Sequence, residues 1–356
     1  NLIVGQVWYD KTNKVLQFQG AGAAAWATGG NLNTARSLSA GAGTQTAGLA
    51  IGGTVPPDNS TVNTEKYNGT AWTEVADLNT ARRQFAGSGV QASAIISGGN
   101  DGTTVGINSA ESWNGTCWAE VANLNTARNA LAGAGVSNTS AIAFGGYSTP
   151  ADANQVANES WNGTAWTEVA NLNTARENLG SLGIATAALA FAGSRGPAGP
   201  TGFTEKWNGT SWTEVADLNT ARQYMGTAGT NVSALAVGGN PAPGSAVTES
   251  WNGTSWSEIT DMNATRERAS GFGASNTSAL VFGGLIPGNP RTAITEKWNG
   301  TAWTELNNLG TARSLMGSTK GPITSGLAFG GGTPDKTVAT EEWSEPTLVT
   351  KTVDVD

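Results

Sequence analysis

An all-β, seven-bladed β-propeller with four antiparallel strands per blade is the fold this sequence predicts, on three observations. The motif T-A-R occurs six times and N-A-T-R once, placing Arg36, Arg82, Arg128, Arg176, Arg222, Arg266 and Arg313 at steps of 46, 46, 48, 46, 44 and 47 residues. Each copy repeats the same landmarks in the same order, and a period of roughly 40–50 residues carrying Gly-Gly and Trp is a blade signature. The chain ends with two incomplete copies that complement one another. The first has Trp26 without a preceding Glu-x-Trp strand, and the last stops after Glu341 and Trp343. Joined, they make one blade, so the ring closes by pairing an N-terminal with a C-terminal strand and leaves no free edge there.

Each repeat reads as four strands in order. The stretch after the arginine, such as Phe85-Ala86-Gly87-Ser88-Gly89, is small and glycine-rich, as strands crowding a central axis require. Next comes a short apolar run without alternation, such as Ser93-Ala94-Ile95-Ile96-Ser97, which predicts a strand buried on both faces. A glycine pair follows (Gly52-Gly53 and its equivalents, with Ala192-Gly193 in the fourth copy). Then E-[SK]-W-N-G-T-x-W-[TSA]-E predicts a hairpin of the third and fourth strands. Its Asn-Gly (Asn68, Asn114, Asn162, Asn208, Asn252 and Asn299, each before Gly) suits a type I′ turn, which needs two residues tolerant of positive φ.

Composition is consistent with one repeat array: 38% hydrophobic, 49 Gly and 14 Trp among 356 residues, with 13% charged. A net charge of −8 without histidine disfavours nucleic acid as a partner, because phosphate contacts need a basic surface. No apolar run reaches about 20 residues, so no membrane insertion is expected. The single Cys117 excludes a disulfide framework. The chain begins at Asn1, as a processed or partial chain would.

The order arginine, double glycine, E-x-W/Y, Trp resembles the kelch repeat over residues 26–343. The wording W-N-G-T-[AS]-W-T-E-V-A-[DN]-L-N-T-A-R is similar, more narrowly, to kelch-type repeats in virion proteins of tailed phages from marine bacteria. Residues 1–25 add Gly5-Gln6-Val7-Trp8-Tyr9-Asp10 and Lys14-Val15-Leu16-Gln17-Phe18, a hairpin-like segment resembling the openings of phage tail-fibre chains, or else a flap packed on the propeller. Residues 344–356 form an acidic C-terminal tail able to add a strand elsewhere. The resemblance implies a tail-fibre or decoration protein in a virion, with other virion proteins and a host surface glycan or protein as partners. The alternative is a secreted or cell-surface, lectin-like propeller.

No enzyme, cofactor or metal is expected. Some kelch-like propellers are oxidases or sugar isomerases, but copper chemistry needs histidines and no asymmetric carboxylate pair stands out. The repeated charges Glu65, Glu111, Glu159, Glu205, Glu249, Glu296 and Glu341 match the seven arginines one per blade. A scaffold repeats where a catalytic site breaks symmetry, so these are predicted to be buried structural pairs. The two faces are unequal: the Asn-Gly turns make one monotonous, while the loops after Gly-Gly differ in every copy. Variable loops on a rigid scaffold are where binding resides. Tyr147, Arg195, Phe203, Leu285, Ile286 and Arg291 are the exposed-type residues singled out there.

Overall fold

The computed structural model describes residues 7–13, 15–21, 24–103, 105–149, 151–240, 244–288, 290–319, 321–345 and 348–353. Among these, seven four-stranded antiparallel sheets form the propeller, and the one helical element is the short 3₁₀ turn Gly196–Ala198. Blade 2 shows the pattern: Ala86–Val90, Ser93–Ser97, Ala110–Trp113 and Trp118–Val121 pair in chain order from the axis outward. Blade 1 is the one following Arg36, and blade 7 is the closing blade.

Glycine dominates the inner strands because seven of them converge. A Cβ on Gly41 would collide with the carbonyl oxygen of Ser318 in the neighbouring blade. The second strands are buried along almost their whole length, as their unbroken apolar runs require. Cores form between blades. Ala86 and Ile95 of blade 2 pack with Ala141, Trp161 and Trp166 of blade 3. Burying one such tryptophan is worth about 4–6 kcal/mol by area, an upper bound. The two tryptophans of a hairpin meet tilted, as in Trp113 and Trp118 with ring centroids 5.4 Å apart.

The ends close the ring. Thr340–Ser344 is the third strand of blade 7 and Ala25–Thr28 its fourth, with Trp26 opposite Trp343. Blade 1 then grips blade 7. Trp72 Nε1 donates to Thr340 Oγ1 at 2.9 Å, Gln45 Nε2 donates to the Trp343 carbonyl at 2.9 Å, and the Tyr67 hydroxyl donates to the Glu342 carboxylate. The C-terminal segment pairs with the N-terminal one: Val7–Asp10, Val15–Ala21 and Leu348–Val353 form a separate three-stranded sheet. Gly5, Gln6 and Lys14, and the tail residues Asp354, Val355 and Asp356, lie outside the described residues.

The Asn-Gly hairpins differ from the type I′ expectation. Tyr67 pairs with Trp72 and Trp113 with Trp118, so the turn holds four residues rather than two. Only the glycines have positive φ, at 91° for Gly69 and 93° for Gly115. The asparagine acts through its side chain: Asn162 Oδ1 accepts the backbone N–H of Thr164 and of Ala165, each at 2.9 Å. This Asx geometry satisfies turn donors that a two-residue loop would not expose.

Candidate functional site

The repeated charges are tied into the scaffold. All seven arginines have no exposed surface, and each Nη2 meets Oε1 of the glutamate on the third strand of its own blade. In blade 2, Arg82 Nη2 is 2.6 Å from Glu111 Oε1, while Nη1 donates to the carbonyls of Gly98 at 3.1 Å and Ser109 at 2.7 Å. Glu111 Oε2 accepts from the backbone and side chain of Asn79, at 2.7 and 2.9 Å. Burial lowers the guanidinium pKa values against the pull of the paired glutamates, to about 10 for Arg128 and Arg313, which leaves them charged at neutral pH. The asparagine three residues before each arginine is a partner that sequence reasoning missed. It recurs at Asn33, Asn79, Asn125, Asn173, Asn219 and Asn263, and only in the seventh copy does Gly310 replace it, donating its backbone N–H alone.

The loops between second and third strands share one face with the blade-to-blade connections. The two pair across short bridges, such as Ser37 with Thr54 and Arg83 with Asn100. Neighbouring loops are also laced together. Lys336 Nζ of blade 7 donates to the Pro57 carbonyl of blade 1, Ser60 Oγ to the Asn100 carbonyl, Gly106 N to Thr149 Oγ1, and Asn154 Nδ2 to the Ser194 carbonyl. An arc from blade 7 through blade 4 is therefore fixed before anything binds.

The six residues singled out on these loops fall on three separate blades. Arg195 and Arg291 are exposed, and Arg195 lies over the Phe203 ring, 5.6 Å from its centroid. Tyr147 and Ile286 are partly buried, and Tyr147 donates its hydroxyl to Asp152. Leu285 corrects the expectation of an exposed residue. It is 8% exposed because its backbone bridges both Glu267 and Arg291, which turns the side chain inward.

A different set of side chains converges at the mouth of the central channel on this face. The residue two positions after each arginine (Leu38, Gln84, Ala130, Asn178, Tyr224, Arg268, Leu315) has φ between 50° and 55°, a left-handed conformation rare outside glycine. Recurring in every blade, this strain is part of the scaffold. Its effect is a ring of backbone hydrogen bonds: Ala130 N to Gln84 O, Asn178 N to Ala130 O, Arg268 N to Tyr224 O, Leu315 N to Arg268 O and Leu38 N to Leu315 O, at 2.8–3.4 Å. Two of the seven junctions lack that backbone bond: Leu38 to Gln84, and Asn178 to Tyr224, where the link is instead through side chains, Asn178 Nδ2 donating to Tyr224 Oη at 3.2 Å.

The ring presents seven side chains of six kinds, and their chemistry is one-sided. Arg268 sits over the Tyr224 ring, 4.6 Å from its centroid. Burial first, with Glu177 and Glu267 adding to it, raises the Tyr224 pKa against the pull of Arg268, and burial likewise raises that of Glu177. Leu315 and Leu38 continue the rim beyond Arg268 as an apolar stretch and line one cavity with Arg268 and Tyr224. The signal was in the sequence, since this position differs in every copy but Leu38 and Leu315. What the sequence lacks is that seven distant residues meet at one axis.

The fold defines a class: an all-β propeller of seven four-stranded blades, a scaffold fit for a binding or structural module. Among solved structures, the chain is similar to the one described as "Structure of YjhT", with a TM-score of 0.61 and 13% identity, covering 79% of this chain and 100% of that one. At that identity the likeness bears on the fold alone. No family model and no curated protein sequence matches the chain.

Proposed function

We propose that this chain is a non-catalytic binding propeller of a phage particle, a tail-fibre or decoration protein whose variable-loop face meets a host-cell surface. The observation that carries the binding reading is the inequality of the faces. One is built from near-identical Asx turns, and the other from dissimilar loops laced into a fixed arc around an asymmetric channel mouth. Rigid presentation of varied side chains suits recognition. The virion assignment rests on the repeat wording shared with kelch-type phage proteins and on the tail-fibre-like N-terminal segment. The non-catalytic assignment rests on the repeated charges, which are buried, pair with one another once per blade and, as in Arg82, also donate to backbone carbonyls.

Quantitative peptide mass spectrometry on density-purified particles from the source culture tests the assignment. A fixed copy number per particle is the expected result; presence in the particle-free supernatant alone would refute it. A secreted or cell-surface lectin-like propeller is the second reading, favoured by the tyrosine, amide and charged groups gathered at the channel mouth.

A further inference from the structure

We propose that the side-chain-bridged junction of the channel-mouth ring between blades 4 and 5 is a binding site for a neutral saccharide ring. The inference rests on the reading of this face as a binding surface.

At the Asn178–Tyr224 junction a cleft of about 330 Å³ opens, lined by Asn178, Leu179, Ser181, Tyr224, Met225 and Thr227. That volume is at the small end of the range for small-molecule pockets, roughly 300–1,000 Å³. The cleft continues into the channel below it, a cavity of about 400 Å³ that shares Leu179, Ser181, Met225 and Thr227 with it. A bound ring would therefore have room for its substituents and their water.

The lining departs from sevenfold repetition in the sense that sugar recognition requires. Five residues after each arginine, blades 1, 2, 3 and 6 have Gly41, Gly87, Gly133 and Gly271 and blade 7 has Ser318, and only blades 4 and 5 place two hydroxyls, Ser181 and Thr227, side by side. Ser181 donates to the Gly133 carbonyl at 3.1 Å and keeps its lone pairs to accept. Asn178 uses one N–H on Tyr224 and retains a second N–H and a carbonyl oxygen. Hydroxyl and amide groups that both donate and accept match a polyol, whose hydroxyls do the same. Tyr224 supplies an aromatic wall. Arg268 of blade 6 lies over one face of its ring, and the ring also lines the cleft, where it offers aromatic surface to the C–H face of a pyranose.

Charge selects a neutral ligand. Two carboxylates, Glu177 and Glu267, immediately precede the ring residues Asn178 and Arg268, and the one guanidinium of the ring, Arg268, is engaged with the Tyr224 ring. An anionic sugar would meet a net negative rim.

The test uses the full chain with methyl glycosides of glucose, galactose and mannose, followed by saturation-transfer NMR and calorimetry, with glucuronate as the anionic counterpart. At least one neutral glycoside is expected to bind and glucuronate not to bind. Tyr224→Ala should weaken binding about tenfold or more, the equivalent of one well-made contact of about 1.4 kcal/mol. Thr227→Val, which keeps the shape and removes the hydroxyl, should weaken it several-fold while leaving the unfolding midpoint in place. Competition by the host's surface polysaccharide would make the natural ligand a glycan terminus, and its absence a free sugar; either outcome supports the saccharide class. Failure of every neutral glycoside, or binding that both variants leave unchanged, would overturn the proposal. Saccharide binding lost instead on Phe203→Ala would move the site to the outer loops, sinking this inference while keeping the binding face.

Discussion

A hydrogen bond that crosses five of the seven blade boundaries shows how much a single side chain decides in a repeat. The fourth-strand tryptophan donates Nε1 to a threonine of the preceding blade in five cases: Trp72 to Thr340, Trp118 to Thr64, Trp256 to Thr204, Trp303 to Thr248 and Trp26 to Thr295, at 2.9–3.2 Å. Trp166 and Trp212 are left with a buried, unpartnered Nε1, because Ala110 and Asn158 occupy the threonine position. Ala110→Thr is therefore predicted to raise stability by about 0.5–1.5 kcal/mol, read as a shift of the denaturant midpoint at constant slope. A buried pair is more demanding: Arg128→Ala strands the Glu159 carboxylate and should cost about 3–5 kcal/mol in the same assay. Tyr67 gives a pH test. Burial first, and then its bond to Glu342, push its pKa from 10 up to about 12. The folded chain thus keeps a proton that the unfolded chain loses above pH 10. That contribution is complete below pH 10 and is lost as pH rises through about 12. The stability advantage of wild type over Tyr67→Phe should accordingly shrink across that window; an advantage that grew would contradict the assignment. The arginine and glutamate columns were legible because charge repeated once per blade is conspicuous. The asparagine before them was not, since its role depends on reaching a strand about 30 residues away.

Strands were readable, and turn geometry was not. Unalternating apolar runs such as Ser140–Phe144 are second strands, and glycine-rich runs are inner strands, because burial on both faces and crowding at the axis each leave a compositional mark. Asn-Gly marks a hairpin equally well for a two-residue or a four-residue turn, and only the register of Trp161 opposite Trp166 separates them. The four-residue form makes a prediction that the other does not. Only Oδ1 of Asn162 is used, accepting two backbone N–H groups, so Asn162→Asp should fold with nearly unchanged stability. Asn162→Ala should lose about 1 kcal/mol, measured by thermal unfolding.

Ring closure and the inequality of the faces belong to the molecule as a whole. Closure was legible because the two partial repeats complement one another, and Trp26 opposite Trp343 is the resulting pairing. Ending the chain at Gly332 removes the third strand of blade 7 and leaves Ala25–Thr28 without its neighbour. Such a chain should melt at a lower temperature and associate through the open edge; an unchanged melting temperature in a monomer would contradict closure as a source of stability. The channel mouth was not legible, because Asn178, Tyr224 and Arg268 are brought together only by seven blades meeting at one axis.

Recognition on the variable-loop face is testable within blade 2, which offers a direct comparison of both faces. Cys117 is exposed on the Asx-turn face, and Thr103 is exposed in the variable loop of the same blade. The measurement is adhesion of the purified chain to cells from its source culture after coupling a bulky poly(ethylene glycol) maleimide either to Cys117 or to a Cys117→Ser/Thr103→Cys variant. The account predicts that the label at position 103 abolishes adhesion and the label at Cys117 leaves it intact. Loss of adhesion on labelling Cys117, with adhesion preserved on labelling position 103, would contradict it.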